Sequence, residues 1–210
     1  MSNTLIIDTT KSKTCIILIT TDKEYEIVLD EQLKVSESLV VNIEKLMNNA
    51  VISLSDVDNF AVVVGPGSFT GIRVGLATIK GFCMAFDKPC VAKNSFDIFT
   101  DEIQNGVLVM KCTNLTSYFA KFVKGKVIEY GVVDNDKIKD TFSDIKLYSV
   151  EDYGEISTIN LDDRYLNLLK KAFKRAIKDR EFVDAKTVQP FYVQLSQAEL
   201  AKLKKDSLNG

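Results

Sequence analysis

Residues 61–75, Ala61-Val62-Val63-Val64-Gly65-Pro66-Gly67-Ser68-Phe69-Thr70-Gly71-Ile72-Arg73-Val74-Gly75, decide the fold. The β-branched run Ala61 to Val64 reads as a buried strand. It stops at Gly65-Pro66-Gly67, where glycine permits unusual backbone angles and proline fixes one. A helical pattern then begins near Thr70 and continues to about Phe86. A strand, a glycine turn and a helix N-terminus in succession define a place where unpaired N–H groups and the helix dipole favour an anion. Asp8, Gly65, Gly67, Ser68, Thr70, Gly71 and Arg73 are the candidate anion- or nucleotide-binding residues. The structural alternative is a tight turn that lets a helix pack closely on its sheet.

The spacing excludes three familiar chemistries. A P-loop requires lysine after its last glycine, and Ile72 follows Gly71; the dinucleotide fingerprint requires glycine where Thr70 stands. A nucleophile elbow requires glycines two residues either side of serine, but Ser68 has Pro66 and Thr70 there. Composition excludes more. Among 210 residues there are no histidines, so neither a Ser-His nor a Cys-His relay can be built, nor a histidine-bearing metal site. With 27 basic and 29 acidic residues, the chain is a poor nucleic-acid ligand by itself. Cys15, Cys83, Cys90 and Cys112 form no C-x-x-C pair and read as reduced thiols of a cytoplasmic protein. No basic n-region opens the sequence, and no apolar run is expected to reach membrane-spanning length.

Two helices carry more than an ordinary core face. In the helix Ser36–Asn49, Leu39, Ile43, Leu46, Met47 and Ala50 form one stripe, which Val40 and Val41 widen. In the helix after the glycine turn, Gly71, Gly75, Thr78 and Ala85 gather around Phe82, suited to close approach by another backbone. That backbone is either the chain's own sheet or another subunit.

Outward from this centre, Leu5-Ile6-Ile7 reads as a strand ending in the polar turn Asp8-Thr9-Thr10. Two further strands follow, Thr14–Thr21 and Glu24–Leu29. Asp8 is placed either to hold magnesium or to cap its own turn. Lys88-Pro89 introduces a short strand, Cys90–Ala92, and Asn94-Ser95 caps a helix through Phe99. Past Asn105-Gly106 a strand-turn-strand-turn-strand pattern restarts over Val107–Val133, echoing Leu5–Leu29. The stretch Asp134–Gly154 gives no periodic signal. Asp162–Lys178 is an amphipathic helix, Val188–Val193 is extended, and Ser196-x-x-Glu199 opens a last helix. The domains expected are 1–104 joined by 187–210, and 105–186.

Gly65-Pro66-Gly67-Ser68-Phe69-Thr70-Gly71-Ile72-Arg73-Val74-Gly75 resembles the signature of the TsaB (YeaZ) family, accessory subunits of tRNA N6-threonylcarbamoyladenosine synthesis. Ile7-Asp8-Thr9-Thr10, Ser36-Glu37-Ser38-Leu39 and Pro190-Phe191-Tyr192-Val193 are similar to further family motifs. The resemblance implies an α/β, actin-like/Hsp70-like (ASKHA, RNase H-like) duplicated fold of two small domains. It also implies a non-catalytic subunit, with no catalytic residue and no metal of its own. Such a subunit scaffolds a TsaD-type catalytic partner and a TsaE-type ATPase, reaches tRNA through that complex, and pairs with itself when alone. ATP and magnesium belong to the complex, and the chain is expected to bind no cofactor itself. The two helices would form a bundle with the same pair from the partner, so Leu39, Ile43, Leu46, Met47, Gly71, Gly75, Thr78 and Phe82 are the expected interface. The chain departs from the family at Val35, Lys111-Cys112-Thr113 and Gln194, where histidine, Asp-Ala-Arg and arginine are usual. The competing readings are a small ATP-dependent phosphotransferase or phosphatase of the same superfamily, acting through Asp8 and the glycine turn, and a nucleotide-binding regulator with no partner.

Overall fold

The computed structural model describes residues 2–29 and 34–193. The chain runs β1 (Thr4–Asp8), β2 (Thr14–Ile19), β3 (Glu24–Leu29), α1 (Val35–Ala50), β4 (Asn59–Val63), α2 (Phe69–Phe86) and β5 (Cys90–Lys93). It continues through β6 (Asn105–Lys111), β7 (Thr116–Val123), β8 (Lys126–Asp134), α3 (Ile138–Thr141), β9 (Leu147–Ser149), β10 (Ile159–Asn160) and α4 (Tyr165–Lys178). Two five-stranded sheets result, ordered β3-β2-β1-β4-β5 and β8-β7-β6-β9-β10. In each, three strands form an antiparallel meander and the last two run parallel to the first. The same path is therefore drawn twice, the duplicated actin-like arrangement that the resemblance implies.

Alternation along the strands sorts side chains into three apolar layers. On one face of the first sheet, Leu5, Ile7, Ile16, Leu18, Phe60 and Val62 meet Leu39, Ile43, Leu46 and Met47 of α1 and Leu76, Ile79 and Cys83 of α2. The other face, with Ile6, Ile17, Ala61 and Val63, shares one core with Leu108, Met110 and Ala120 of the second sheet. Leu169, Ala172, Phe173 and Ala176 of α4 fill the space between them. The far face of the second sheet is covered only thinly, Val107 and Val109 packing on Ile138 and Phe142. Lys170 bridges Glu24 and Glu26 of β3 at 2.8 and 2.7 Å, and Lys174 reaches Glu24 at 2.6 Å. Helix α4 thus belongs to both sheets.

Several expectations are corrected here. The helix after Asn94-Ser95 is a single 3-10 turn, Asp97–Phe99; Asn94 Oδ1 accepts from the Phe96 and Asp97 N–H groups as a cap does. The silent stretch Asp134–Gly154 contains α3 and β9, and β10 follows it, all elements too short for periodicity to register. The stretch Val188–Val193, read as extended, is neither helix nor paired strand, and Phe191 N–H donates to the Val64 carbonyl at 2.7 Å. Phe69–Phe86 is long and apolar enough to cross a membrane by length and composition, contrary to expectation; its apolar face is packed on the first sheet. The helix proposed at Ser196 lies outside the described residues.

Candidate functional site

The β1–β2 turn and the glycine turn fold against each other. Gly67, at φ +157°, sits so close to the first turn that an added Cβ would lie 2.1 Å from the Thr10 carbonyl oxygen. Ser68 N–H donates to that carbonyl at 2.7 Å, and Ser68 Oγ caps α2 by accepting from Gly71 N–H at 3.2 Å. Thr9 Oγ1 donates to the Gly71 carbonyl at 2.6 Å. A Cβ at Gly71 would lie 1.9 Å from the Thr9 carbonyl oxygen, and one at Gly75 would lie 2.3 Å from Thr9 Oγ1. Ser95 locks the far side of the loop, its N–H donating to Gly65 O at 2.6 Å and its hydroxyl to Pro66 O at 2.7 Å.

This geometry places six of the eight expected interface residues inside the chain itself. Gly71 and Gly75 are the seat of the chain's own Thr9, and Leu39, Ile43, Leu46 and Met47 are core residues. Phe82 is half-buried 5.5 Å from the Phe60 ring, and Thr78 donates to its own helix at Val74 O. What α1 and α2 leave outward is a different set. Val40 and Val41 are 56% and 48% exposed, Met84 is 63% exposed, and Ala77, Gly81 and Ala85 are uncovered. A Cβ at Gly81 meets nothing within 4 Å.

The candidate anion residues divide. Gly67, Ser68, Thr70 and Gly71 line a cleft of about 760 Å³ between the sheets, together with Lys11, Ser12, Lys111, Cys112, Tyr118 and Glu151. Gly65 faces Phe191 and Ile72 instead. Arg73 points away from the cleft: its Nε donates to Tyr192 Oη at 3.0 Å, and its guanidinium lies 4.6 Å from the Phe69 ring, which stacks on Tyr192 at 4.2 Å. It fastens the segment before Val193 to α2.

Asp8 is fully buried. Oδ1 accepts from Thr10 N–H at 2.8 Å and Thr10 Oγ1 at 2.6 Å, while Oδ2 accepts from the Tyr165 hydroxyl of α4. Of the two roles open to Asp8, turn capping is the one this geometry performs. Burial and the Asp8 carboxylate push the Tyr165 hydroxyl far above the usual phenol range, so it remains a donor. Lys11 Nζ lies 3.7 Å from the Tyr165 ring centroid and 5.3 Å from that of Phe99, sealed from solvent and without a hydrogen-bond partner. Burial lowers its pKa, against the upward pull of Glu151 and then Asp8. Burial raises Glu151, against Lys11 and an N–H bond from Lys111.

Magnesium-nucleotide chemistry, which the fold class implies, does not fit this donor set. Both oxygens of the strand-end carboxylate are engaged, lysine stands at position 111, and no group of three metal-ligating side chains occurs among the described residues. Sequence reading missed Lys11, Glu151 and Tyr165. Only the charge directly after Asp8-Thr9-Thr10 hinted at Lys11, and nothing local links positions 8 and 165.

The class is therefore defined: an actin-like two-sheet protein whose first turn is closed by its own glycine helix and by α4. The TsaD family model, tRNA N6-adenosine threonylcarbamoyltransferase, matches residues 32–114. The transferase of that name from Novosphingobium aromaticivorans is 40% identical over 62 residues, 30% of this chain and 18% of that protein. The tRNA threonylcarbamoyladenosine biosynthesis protein TsaB of Haemophilus influenzae is 30% identical over 93 residues, 40% of this chain and 39% of that one. The match to these curated relatives thus spans between about a fifth and two fifths of their length. YeaZ from Pseudomonas aeruginosa superposes with a TM-score of 0.70 at 18% identity, covering 91% of this chain and 100% of that one. The chain is thus similar to TsaB over part of its length and shares the fold of YeaZ.

Proposed function

We propose that the chain is a non-catalytic subunit of a tRNA threonylcarbamoyladenosine-synthesising complex, a cytoplasmic protein that docks a TsaD-type transferase. A TsaE-type ATPase, ATP with magnesium, and tRNA enter through the complex rather than through this chain. The observation that carries the reading is the outward face of α1 and α2. Val40 and Val41 on α1 and Met84, Ala77, Gly81 and Ala85 on α2 are exposed, and both helices lie within the segment that resembles the transferase itself. Related faces on two chains pair naturally about a pseudo-two-fold axis, and small residues allow close helix approach. Self-pairing when the chain is alone follows from the same surface. The histidine-free sequence and the sealed Asp8 support the absence of catalysis.

The test is co-purification with the TsaD-type transferase of the same organism, using the wild type and Gly81→Arg. Because position 81 faces open space, the variant keeps its fold by circular dichroism and loses the complex. A folded Gly81→Arg or Met84→Asp protein that binds the transferase normally removes this surface from the proposal.

A further inference from the structure

We propose that the chain's own segment 195–205 docks as a short helix on the edge of β8, covering the apolar patch that Ile128 and Tyr130 form there. The proposal is independent of the docking reading, since β8 belongs to the second sheet and α1 and α2 pack on the first.

Strand β8 is an edge strand of nine residues. Such an edge offers unpaired N–H and C=O groups to any other strand, and folded chains commonly cover it with a helix or a loop. The equivalent edge of the first sheet is flanked in this way, Lys170 and Lys174 of α4 holding Glu24 and Glu26 of β3. Along β8, by contrast, Ile128 is 58% and Tyr130 50% exposed. Tyr130 stands opposite Ala120 and Val132 opposite Tyr118, so both lie on the sheet face that turns to the shared core. A shift of register at Lys121 and Phe122 leaves Ile128 outside the paired positions, two residues from Tyr130. The patch is therefore an open margin of the core between the two sheets.

The described chain arrives at this margin. Phe191 is bonded to Val64 at the end of β4, and its ring lies 5.4 Å from that of Tyr130 and 6.4 Å from that of Phe96. The Phe96 and Tyr130 rings are 6.0 Å apart, which closes a triangle of aromatic contacts. Val193 packs against the same core as Val127 and Val132 of β8. The path from Val188 to Val193 thus leads from the first sheet to the edge of the second.

The sequence that follows supplies the apolar counterpart. Ser196 and Glu199 are spaced as a capping box, and Leu195 and Leu200 occupy the two positions of a hydrophobic staple around it. Leu203 falls on the same side as Leu200, while Lys202 and Lys205 fall on the other. A helix over 197–205 is about 13 Å long and the strand from Ile128 to Tyr130 about 7 Å, so one helix face spans the patch. The segment needs an apolar surface for Leu195, Leu200 and Leu203, and the patch is beside its point of departure.

Cysteine trapping in the full chain tests the proposal. Ile128→Cys is combined with Leu200→Cys or with Leu203→Cys and oxidised with copper phenanthroline. Cys112→Ser is the background, because Cys15, Cys83 and Cys90 are buried. A disulfide within one chain is expected in at least one pair and in none of the single variants. Thermal midpoints of Leu203→Ala, Ile128→Thr and the double variant give a second reading. Each single change lowers the midpoint by about 2 °C or more, and the double change by clearly less than their sum. Disulfides that form only between chains would assign the patch to a second copy and overturn the proposal. So would the absence of an intrachain bond in both pairs, or midpoint shifts that add in full. Each of these outcomes leaves the docking surface untouched.

Discussion

The two sheets bring two turns to equivalent places, β1–β2 and β6–β7, and treat them differently. The first, Asp8-Thr9-Thr10-Lys11, is enclosed: Gly67, Gly71 and Gly75 admit it against α2, and Tyr165 closes over its carboxylate. The second, Lys111-Cys112-Thr113-Asn114-Leu115, is held by its own bonds, Thr113 Oγ1 accepting from the Leu115 and Thr116 N–H groups at 3.1 and 3.0 Å, and by Asn135, which donates to the Leu115 and Asn114 carbonyls at 2.8 and 3.1 Å. Leu115 at its tip is 77% exposed. Among the described residues, the first sheet carries two long helices on its outer face, and the second the four-residue α3. One topology thus yields a half backed by two long helices and a half covered more thinly.

The sharpest way to break this contrast is to crowd the first turn. Gly75→Leu places a side chain where Thr9 Oγ1 already lies within 2.3 Å of the Cβ position. Overpacking of this kind costs roughly 3 kcal/mol or more, and urea unfolding measures it. An equally bulky change at Leu115, in the open turn, moves stability by less than about 0.5 kcal/mol. Equal losses at the two positions would dissolve the comparison.

Next in size is the clasp between α4 and the first turn. Tyr165→Phe leaves Asp8 Oδ2 buried without its donor, at a cost of about 1–3 kcal/mol. The pH dependence sharpens the same point. Burial lowers the Lys11 pKa in the folded state, so between that lowered value and the ordinary 10.5 the unfolded chain binds more protons. This contribution therefore raises stability as pH increases through that window. Cys15, pushed up to about 12 from 9.0 chiefly by burial, acts oppositely, losing stability as pH climbs from 9 toward 12. Lys11→Met removes the first contribution, so the gap between wild type and variant should shift in favour of wild type as pH rises toward 10.5. A pH-independent difference would show that Lys11 titrates alike in both states. The smallest effect is expected at Arg73→Ala, which gives up one bond to Tyr192 and a ring contact, about 1 kcal/mol read from the thermal midpoint.

The contrast also explains which features the sequence revealed. Strands β1 to β8 and the helices α1, α2 and α4 are long, periodic and bounded by turn residues, so pattern alone located them. Helix α3 and strands β9 and β10 are held by tertiary neighbours and left no period to read. At the site, Gly67, Ser68, Thr70 and Gly71 were legible because backbone demands select glycine and a cap. Gly71 and Gly75 were read as small enough for close approach, and they are, but the approaching group is Thr9 rather than a second chain. Periodicity marks a face without saying what covers it. Lys11 and Tyr165 meet only through the packing of α4 across both sheets, a contact no local window contains.

The central claim is that the first half presents its α1–α2 surface to a related chain. Light scattering coupled to size exclusion, on mixtures with the TsaD-type transferase of the same organism, tests it most directly. The account predicts a one-to-one complex with the wild type, retained by a variant at Leu115 and lost in folded Gly81→Arg. A complex that survives Gly81→Arg, or that is lost with the Leu115 variant instead, would contradict it.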